Sequence, residues 1–307
     1  MTRTDADGAA GARRAAAMLG IAACAETTST TLSEDAAKVD MKLSFRHVFQ
    51  PGKLLTVHAQ VKSGRSYQST TSGSSDMSLR IDHETLNALS GPATQGLIVW
   101  VPPKPLDRLY WYSSDPRRPL KKPIKICRHQ YVRPSIRFDL TRLCTYASWS
   151  RSFSQQTASR HDASEILQRA KLAYASLKKQ PWQNPLVGNL AITRFAWRHV
   201  TRRSKSTQRR TLILKAAPYL KGFISQVPDR YVCDQGPISI HGRDTVDLRY
   251  LRFWYRGALS IDGDKFTLLL RIKEQITYPT CWQNHPLGVA DVRQCATLTS
   301  WWCKKDK

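Results

Sequence analysis

Polar and apolar residues alternate over two neighbouring stretches near the start of the chain. In the first, Met41, Leu43 and Phe45 alternate with Asp40, Lys42 and Ser44; in the second, Leu55, Val57, Ala59 and Val61 alternate with Thr56, His58, Gln60 and Lys62. Successive side chains of a strand point to opposite faces, so each stretch predicts a strand with one apolar and one polar face. Between them, Gln50-Pro51-Gly52 predicts a three-residue hairpin loop with Gly52 in the left-handed position. Such a loop pairs residues whose numbers sum to about 102. Asp40 is then expected opposite Lys62, and Lys42 opposite Gln60. One face would pack on a core while the other presents a carboxylate, an amide and an amine. Spacing alone also fits an ordinary amphipathic hairpin with a solvated polar face.

Further elements follow from the same reading. The Ala-rich stretch 8–23 predicts an opening helix. A short helix near His83–Leu89, with Asp82 as N-cap, is expected before the apolar strand Leu97–Val101. The Ser/Arg/Gln-rich stretch 148–161 reads as a linker, which divides the chain into a first domain over 1–147 and a second over 162–307. A helix starts at Asp162, with Ile166, Ala170, Ala173 and Leu177 on one side and Asp162 or Ser164 as cap, and it stops before Pro181. Asp247–Ser260 and Lys265–Tyr278 flank Ile261-Asp262-Gly263-Asp264, a strong hairpin signal. The stretch LRYLRFWYR within the first of these strands could be a stacking platform for single strands, or a half-buried strand with arginines over aromatic rings. The second region reads as a basic α+β domain.

Charge is distributed unevenly. Residues 1–100 carry 10 Lys and Arg against 9 Asp and Glu, whereas residues 101–307 carry 38 against 14, and the whole chain has a net charge of +25. An excess confined to one part of the chain is the footprint of a polyanion binder, with nucleic acid as the default partner. Two clusters stand out. Arg117, Arg118, Lys121 and Lys122 are interleaved with prolines and read as an exposed loop. Arg202, Arg203, Lys205, Arg209 and Arg210 follow Phe195 and Trp197, which could stack on bases or pack inward. No basic amphipathic helix and no membrane-spanning run stands out, so a membrane partner is not expected.

Residues ~8–145 resemble a bacterial nuclease-like family known as domain of unknown function 4365, related to the restriction-endonuclease-like PD-(D/E)xK superfamily. The resemblance is carried by Val39-Asp40 entering a strand, by Gln60-Val61-Lys62-Ser63-Gly64 with Tyr67 following, and by the strand from Gly96 to Val101 with Leu109-Tyr110-Trp111-Tyr112 after it. It implies an α/β fold: a restriction-endonuclease-like core, with a central mixed sheet flanked by helices, followed by the basic α+β domain. It implies a metal-dependent DNA endonuclease, serving bacterial defence against foreign DNA in the cytoplasm, with a homodimer or a defence-system protein as possible partners. Asp40, Gln60 and Lys62 would be the catalytic set. Asp40, Gln60 and the Val61 carbonyl would hold Mg2+ or Mn2+, and Lys62 would orient the attacking water. Arg65 would join the two basic clusters in contacting nucleic acid. Gln60 stands where the superfamily more often has an acid, and Ser44 where relatives carry a further carboxylate. The same fold without cleavage, gripping nucleic acid through its basic half, is the alternative.

Two other patterns have competing readings. Arg13-Arg14 followed by AAAMLGIAAC is similar to a short signal peptide ending in a lipoprotein box at Cys24, but it also suits the opening helix. The seven cysteines, an odd number, suit a reducing compartment. Cys281, His285, Cys295 and Cys303 could ligate zinc, although their spacing matches no standard module.

Overall fold

The computed structural model describes residues 3–29, 39–69, 76–82, 84–85, 96–103, 105, 107–113, 124–127, 129–149, 155–158, 162–202, 206–284 and 287–306. Helix α1, Arg3–Ala23, forms over the Ala-rich stretch and buries Ala15, Leu19 and Ala22, one side of a helix at i, i+4 and i+7. It ends where Cys24 takes a left-handed φ of 50° and the Ala25 N–H donates to Gly20 O over 2.9 Å, a Schellman-type stop. Cys24, the end of the lipoprotein-like box, is thus a helix C-terminus packed within its unit. Among the described residues no helix is long and apolar enough to cross a membrane.

Contacts divide the chain into two units, Met1–Ser148 with Tyr278–Val292, and Trp149–Thr277 with Arg293–Lys307. The boundary near residue 148 follows the composition of the chain. The late segment Tyr278–Val292 goes with the first unit, where Leu287 O accepts from Cys24 Sγ over 3.3 Å.

The first unit is built on a five-stranded mixed sheet in the order β1-β2-β3-β6-β7. Strands β1 (Glu26–Ser29), β2 (Met41–Arg46) and β3 (Leu54–Ser63) run antiparallel in turn. Strand β6 (Gly96–Val101) lies parallel to β3, and β7 (Tyr110–Ser113) antiparallel to β6. Every residue of β6 is buried, as expected of a central strand covered on both faces. Helix α1 and helix α2 (Ile136–Ala147) pack against β3. Gly11 lets α1 approach closely, since a Cβ there would lie 2.7 Å from Ser63. A three-stranded sheet of β4 (Gln68–Ser69), β5 (Asp76–Leu79) and β8 (Ile124–Cys127) supplies Leu79, Ile124 and Ile126 to a second apolar cluster with Ile98, Trp100 and Tyr110.

The two faces expected of β2 and β3 are observed as far as Ala59: Met41, Leu43, Phe45, Leu55, Val57 and Ala59 are buried, with Lys42, Ser44, Thr56 and His58 more exposed between them, whereas beyond it Gln60 is buried and Val61 only half-buried. The register differs. Lys42 pairs with His58 rather than Gln60, because the connection spans residues 47–53 instead of three. His47 N–H donates to Lys53 O over 2.8 Å, and Lys53 N–H to Gln50 O over 2.9 Å, closing a turn with Pro51 at its second position. Gly52 is not among the residues with positive φ. A shift of two residues preserves the face, so the partners change while the sidedness survives.

In the second unit, helix α3 (Ala163–Lys178) starts as expected, with Asp162 Oδ1 accepting from Glu165 N over 2.8 Å. The stretch read as a linker contributes β9 (Gln156–Ala158), which pairs in parallel with Leu259–Ile261. The main sheet runs β10 (Trp182–Asn184), β11 (Gly188–Ile192), β15 (Arg293–Lys305), β14 (Asp264–Pro279), β13 (Asp244–Ile261), β12 (Arg230–His241). Asp262 and Gly263 have φ of 53° and 86°, the paired positive values of a type I′ turn, so the Asp-Gly signal is a tight hairpin. Helices α4 (Arg194–Thr201), α5 (Thr207–Ala216) and α6 (Leu220–Ile224) complete the unit. The LRYLRFWYR strand is half-buried: Leu251, Phe253 and Tyr255 are fully buried, while Arg230 and Arg252 lie 5.0 and 5.7 Å from the Trp254 ring.

Candidate active site at the end of strand β3

Strand β3 outruns its neighbour. Strand β2 pairs with Leu54–Ala59, whereas β6 pairs with His58–Ser63, so among the described residues no β2 residue pairs with Gln60–Ser63 on that edge. Asp40 sits where the two strands part. Its backbone N–H donates to Ala59 O over 2.9 Å, and its carboxylate turns into the gap. There Asp40 Oδ2 accepts from Gln60 Nε2 over 2.8 Å and from the Val61 N–H. A main-chain donor that a neighbouring strand would have taken is satisfied by a charge instead.

Gln60 is 6% exposed, and its other amide atom is the anomaly of the site: Oε1 is buried and accepts no hydrogen bond. A buried unpartnered carbonyl costs about 1–3 kcal/mol, so such a group calls for an explanation.

Lys62 follows on the same face as Gln60. Its Nζ is 5.5 Å from the centroid of the Tyr67 ring. In-register pairing sets Gln60 beside Ile98 and Lys62 beside Trp100, so the polar face of β3 continues into the apolar cluster under the small sheet. The chain then turns through Gly64, whose φ of 98° favours glycine and whose carbonyl accepts from Trp100 Nε1 over 3.0 Å. Arg65 is exposed in the short 3-10 turn that follows.

Asp82 is a second carboxylate near Lys62. Partial desolvation opposes its ionisation, but hydrogen bonds from Thr85 N (2.6 Å) and Thr85 Oγ1 (2.9 Å), together with the Lys62 charge, outweigh that and hold its carboxyl below the usual value. Asp82 therefore caps the helical Glu84–Thr85 and also answers Lys62. The sequence signalled the cap but not the influence of the Lys62 charge, because no spacing rule joins positions 62 and 82. The rest of the helix expected over His83–Leu89 lies outside the described residues.

Asp40, Gln60 and Val61 are thus brought together, and Lys62 follows on the same face with its Nζ beside Tyr67. Arg202, Arg209 and Arg210 belong to the second unit, with Arg202 exposed after α4 and the other two on α5. Arg117, Arg118, Lys121, Lys122, Arg203 and Lys205 lie outside the described residues. Of the cysteines considered for zinc, Cys281 and Cys295 are exposed, while burial pushes the Cys303 thiol up to about 12. Among the described residues no three or more His, Cys, Asp and Glu side chains cluster as a metal site; Asp40 is met by the Gln60 amide nitrogen and the Val61 N–H. Comparison with protein-family models, with curated proteins and with solved structures returns no match.

Proposed function

We propose that the first unit is a metal-dependent nuclease that hydrolyses phosphodiester bonds in DNA, with Asp40, Gln60 and Lys62 as its working groups. The observation that carries this reading is the buried, unpartnered Gln60 Oε1 on the very amide that holds the Asp40 carboxylate. It is supported by the strand order, an opening helix followed by an antiparallel β1-β2-β3 and a parallel β6, which is the arrangement expected of a restriction-endonuclease-like core. A role in defence against foreign DNA follows the family resemblance.

The donor set fits a hard divalent cation. Asp40 carboxylate, Gln60 Oε1 and the Val61 carbonyl are all oxygens, the donor type Mg2+ and Mn2+ prefer, and Mg2+ commonly keeps waters beside one or two carboxylates. When bound, the cation would supply charge stabilisation at the phosphate and a more acidic water. The chain's own residues do the rest. Asp40 supplies negative charge to the notch, and Val61 N–H and Gln60 Nε2 fix its orientation. Lys62 orients the attacking water and holds the negative charge that grows on the phosphate as the new P–O bond forms and the old one breaks. Asp82 adds a negative charge near the ammonium, and the Tyr67 ring lies beside it.

Plasmid and single-stranded DNA incubated with Mg2+ or Mn2+, with EDTA as control, test the assignment. Wild type is expected to cut, and Lys62→Ala to be slower by about 100-fold or more. Absence of cutting by wild type, or equal cutting by Lys62→Ala, overturns it. A second reading, a nucleic-acid-binding module without cleavage, is favoured by one observation: Asp40 Oδ2 already accepts two internal hydrogen bonds. It predicts salt-dependent DNA binding with no cutting and no response to Lys62→Ala.

A further inference from the structure

A cavity of about 590 Å³ lies in the second unit, in the size range of small-ligand sites. Its origin can be traced strand by strand. Strand β11 pairs with β15 only from Ala296 to Leu298, so among the described residues no strand covers that edge of β15 further along. Strand β11 then gives way to α4, which brings His199, and α5 brings Arg209 and Ile213. Opposite, the β14–β15 pairing slips: Arg271 pairs with Ser300 but Ile272 with Leu298, leaving Thr299 as the extra residue of a bulge. Bulges re-aim side chains. Here the slip makes Ser300 and Trp301 buried neighbours and sets Trp302 and Lys304 along the opening with Arg271. Trp301 Nε1 donates to Ile213 O over 3.1 Å, tying α5 to the strand.

The described lining has a single electrostatic sign. Arg209, Arg271 and Lys304 are cationic, His199 can become so, and no acidic residue is among them. The Arg271 guanidinium lies 4.7 Å from the Trp302 ring centroid, a cation–π pair that offers a flat surface beside fixed positive charge. Phe195, 56% exposed, stacks on His199 with ring centroids 6.2 Å apart. Point charges suit a phosphate, and indole and guanidinium planes suit a base.

We propose that this cavity binds a nucleotide, with the base stacked at Trp302 and Arg271 and the phosphate held by Arg209 and Lys304. The site is independent of cleavage at β3, since every described lining residue belongs to the second unit. The nucleotide can be free in solution or one unit of a single strand, and the chemistry recognised is the same.

Titration of the full chain with dAMP, deoxyadenosine, inorganic phosphate and the single strand (dA)10, read by calorimetry and tryptophan fluorescence, tests the assignment. Saturable dAMP binding is expected, with deoxyadenosine and phosphate each weaker by about tenfold or more. Trp302→Ala and Arg209→Glu should each weaken binding by about tenfold, while Trp302→Phe keeps most of it. If (dA)10 binds with these dependences and dAMP does not saturate, the ligand is a nucleotide within a strand. Arg209 lies on an exposed helix surface, so its variant remains informative should Trp302→Ala fail to fold. The proposal is overturned if neither probe binds. It is equally overturned if Arg209→Glu, or a folded Trp302→Ala, binds as wild type does, or if polyglutamate displaces (dA)10 as well as (dA)10 displaces itself.

Discussion

Strands β3 and β13 both carry polar and charged residues between apolar ones, yet they dispose of them differently. Strand β13 is flanked by β12 and β14, and its charges pair with acids of the sheet, although the Nε atoms of Arg249 and Arg252 are buried and donate no hydrogen bond. Arg249 and Asp247 are buried side by side at 3.4 Å, and Arg252 pairs with Asp234 at 2.8 Å while lying over Trp254. Those arginines hold the sheet together. Strand β3 loses its neighbour β2 before it ends, and in the resulting notch a carboxylate meets an amide, with Gln60 Oε1 left without a partner and Lys62 following on the same face. The contrast shows that a charged residue on a strand is a weak sign of function until its partners are known. At β3 the unpartnered atom is an oxygen on an amide bonded to a carboxylate, a combination that suits a cation, whereas at β13 it is a guanidinium nitrogen, which does not.

The largest effect that would sharpen this contrast is in β13. Asp247→Ala removes the carboxylate beside a buried guanidinium and should cost about 3–5 kcal/mol in denaturant unfolding. A loss below ~1 kcal/mol would mean that the Arg249 charge is not held by Asp247. At β3, Asp40→Ala should cost about 2–3 kcal/mol, because Gln60 Nε2 and Val61 N–H lose a charged acceptor. Gln60→Leu is the telling third member. It removes one charge-assisted hydrogen bond and one unpartnered oxygen together, so stability should change by no more than about 1 kcal/mol while cleavage is lost. An equal loss of stability for Gln60→Leu and Asp40→Ala would place the amide with the structural groups of β13.

A smaller effect concerns pH. Buried His47 accepts from Phe49 N at Nδ1 over 3.0 Å, which leaves Nε2 to donate to Thr145 Oγ1, also at 3.0 Å. Desolvation, and then the Lys53 charge, lower its pKa below 6.5. The unfolded chain therefore binds the proton more readily, so the contribution of neutral His47 is complete above pH 6.5 and is lost as pH falls through the lowered value. Melting temperature should drop on the acid side in wild type and less so in His47→Asn; equal drops would exclude His47 as the cause. The smallest effect is in thiol labelling. Exposed Cys281 and Cys295 should react first, while Cys144 and Cys303, whose thiols burial pushes up to about 12, should react only on unfolding.

Local chemistry made much of this fold legible in the sequence. Alternation gave the faces of β2 and β3, Asp162 the start of α3, and Asp262-Gly263 the tight hairpin, because each depends on residues close in the chain. The β2–β3 register was misread, since Pro51-Gly52 closes a turn inside a seven-residue connection rather than forming the whole loop. Asp40, Gln60 and Lys62 could be named because a two-residue shift keeps a side chain on its face. Neighbours from distant segments could not be. Asp82 comes from beyond the small sheet, and Arg271, Trp302 and Lys304 converge through a bulge that no local pattern announces.

Gln60→Glu offers the most direct test of the central claim, read as Mn2+ affinity by calorimetry together with plasmid cleavage. If the notch is a cation site lacking an acid, a carboxylate beside Asp40 should raise Mn2+ affinity by about tenfold or more and support cleavage at lower metal concentration. If the notch only closes the end of a strand, the same change crowds two carboxylates together, lowers stability and leaves Mn2+ affinity where it was. That second result would contradict the account.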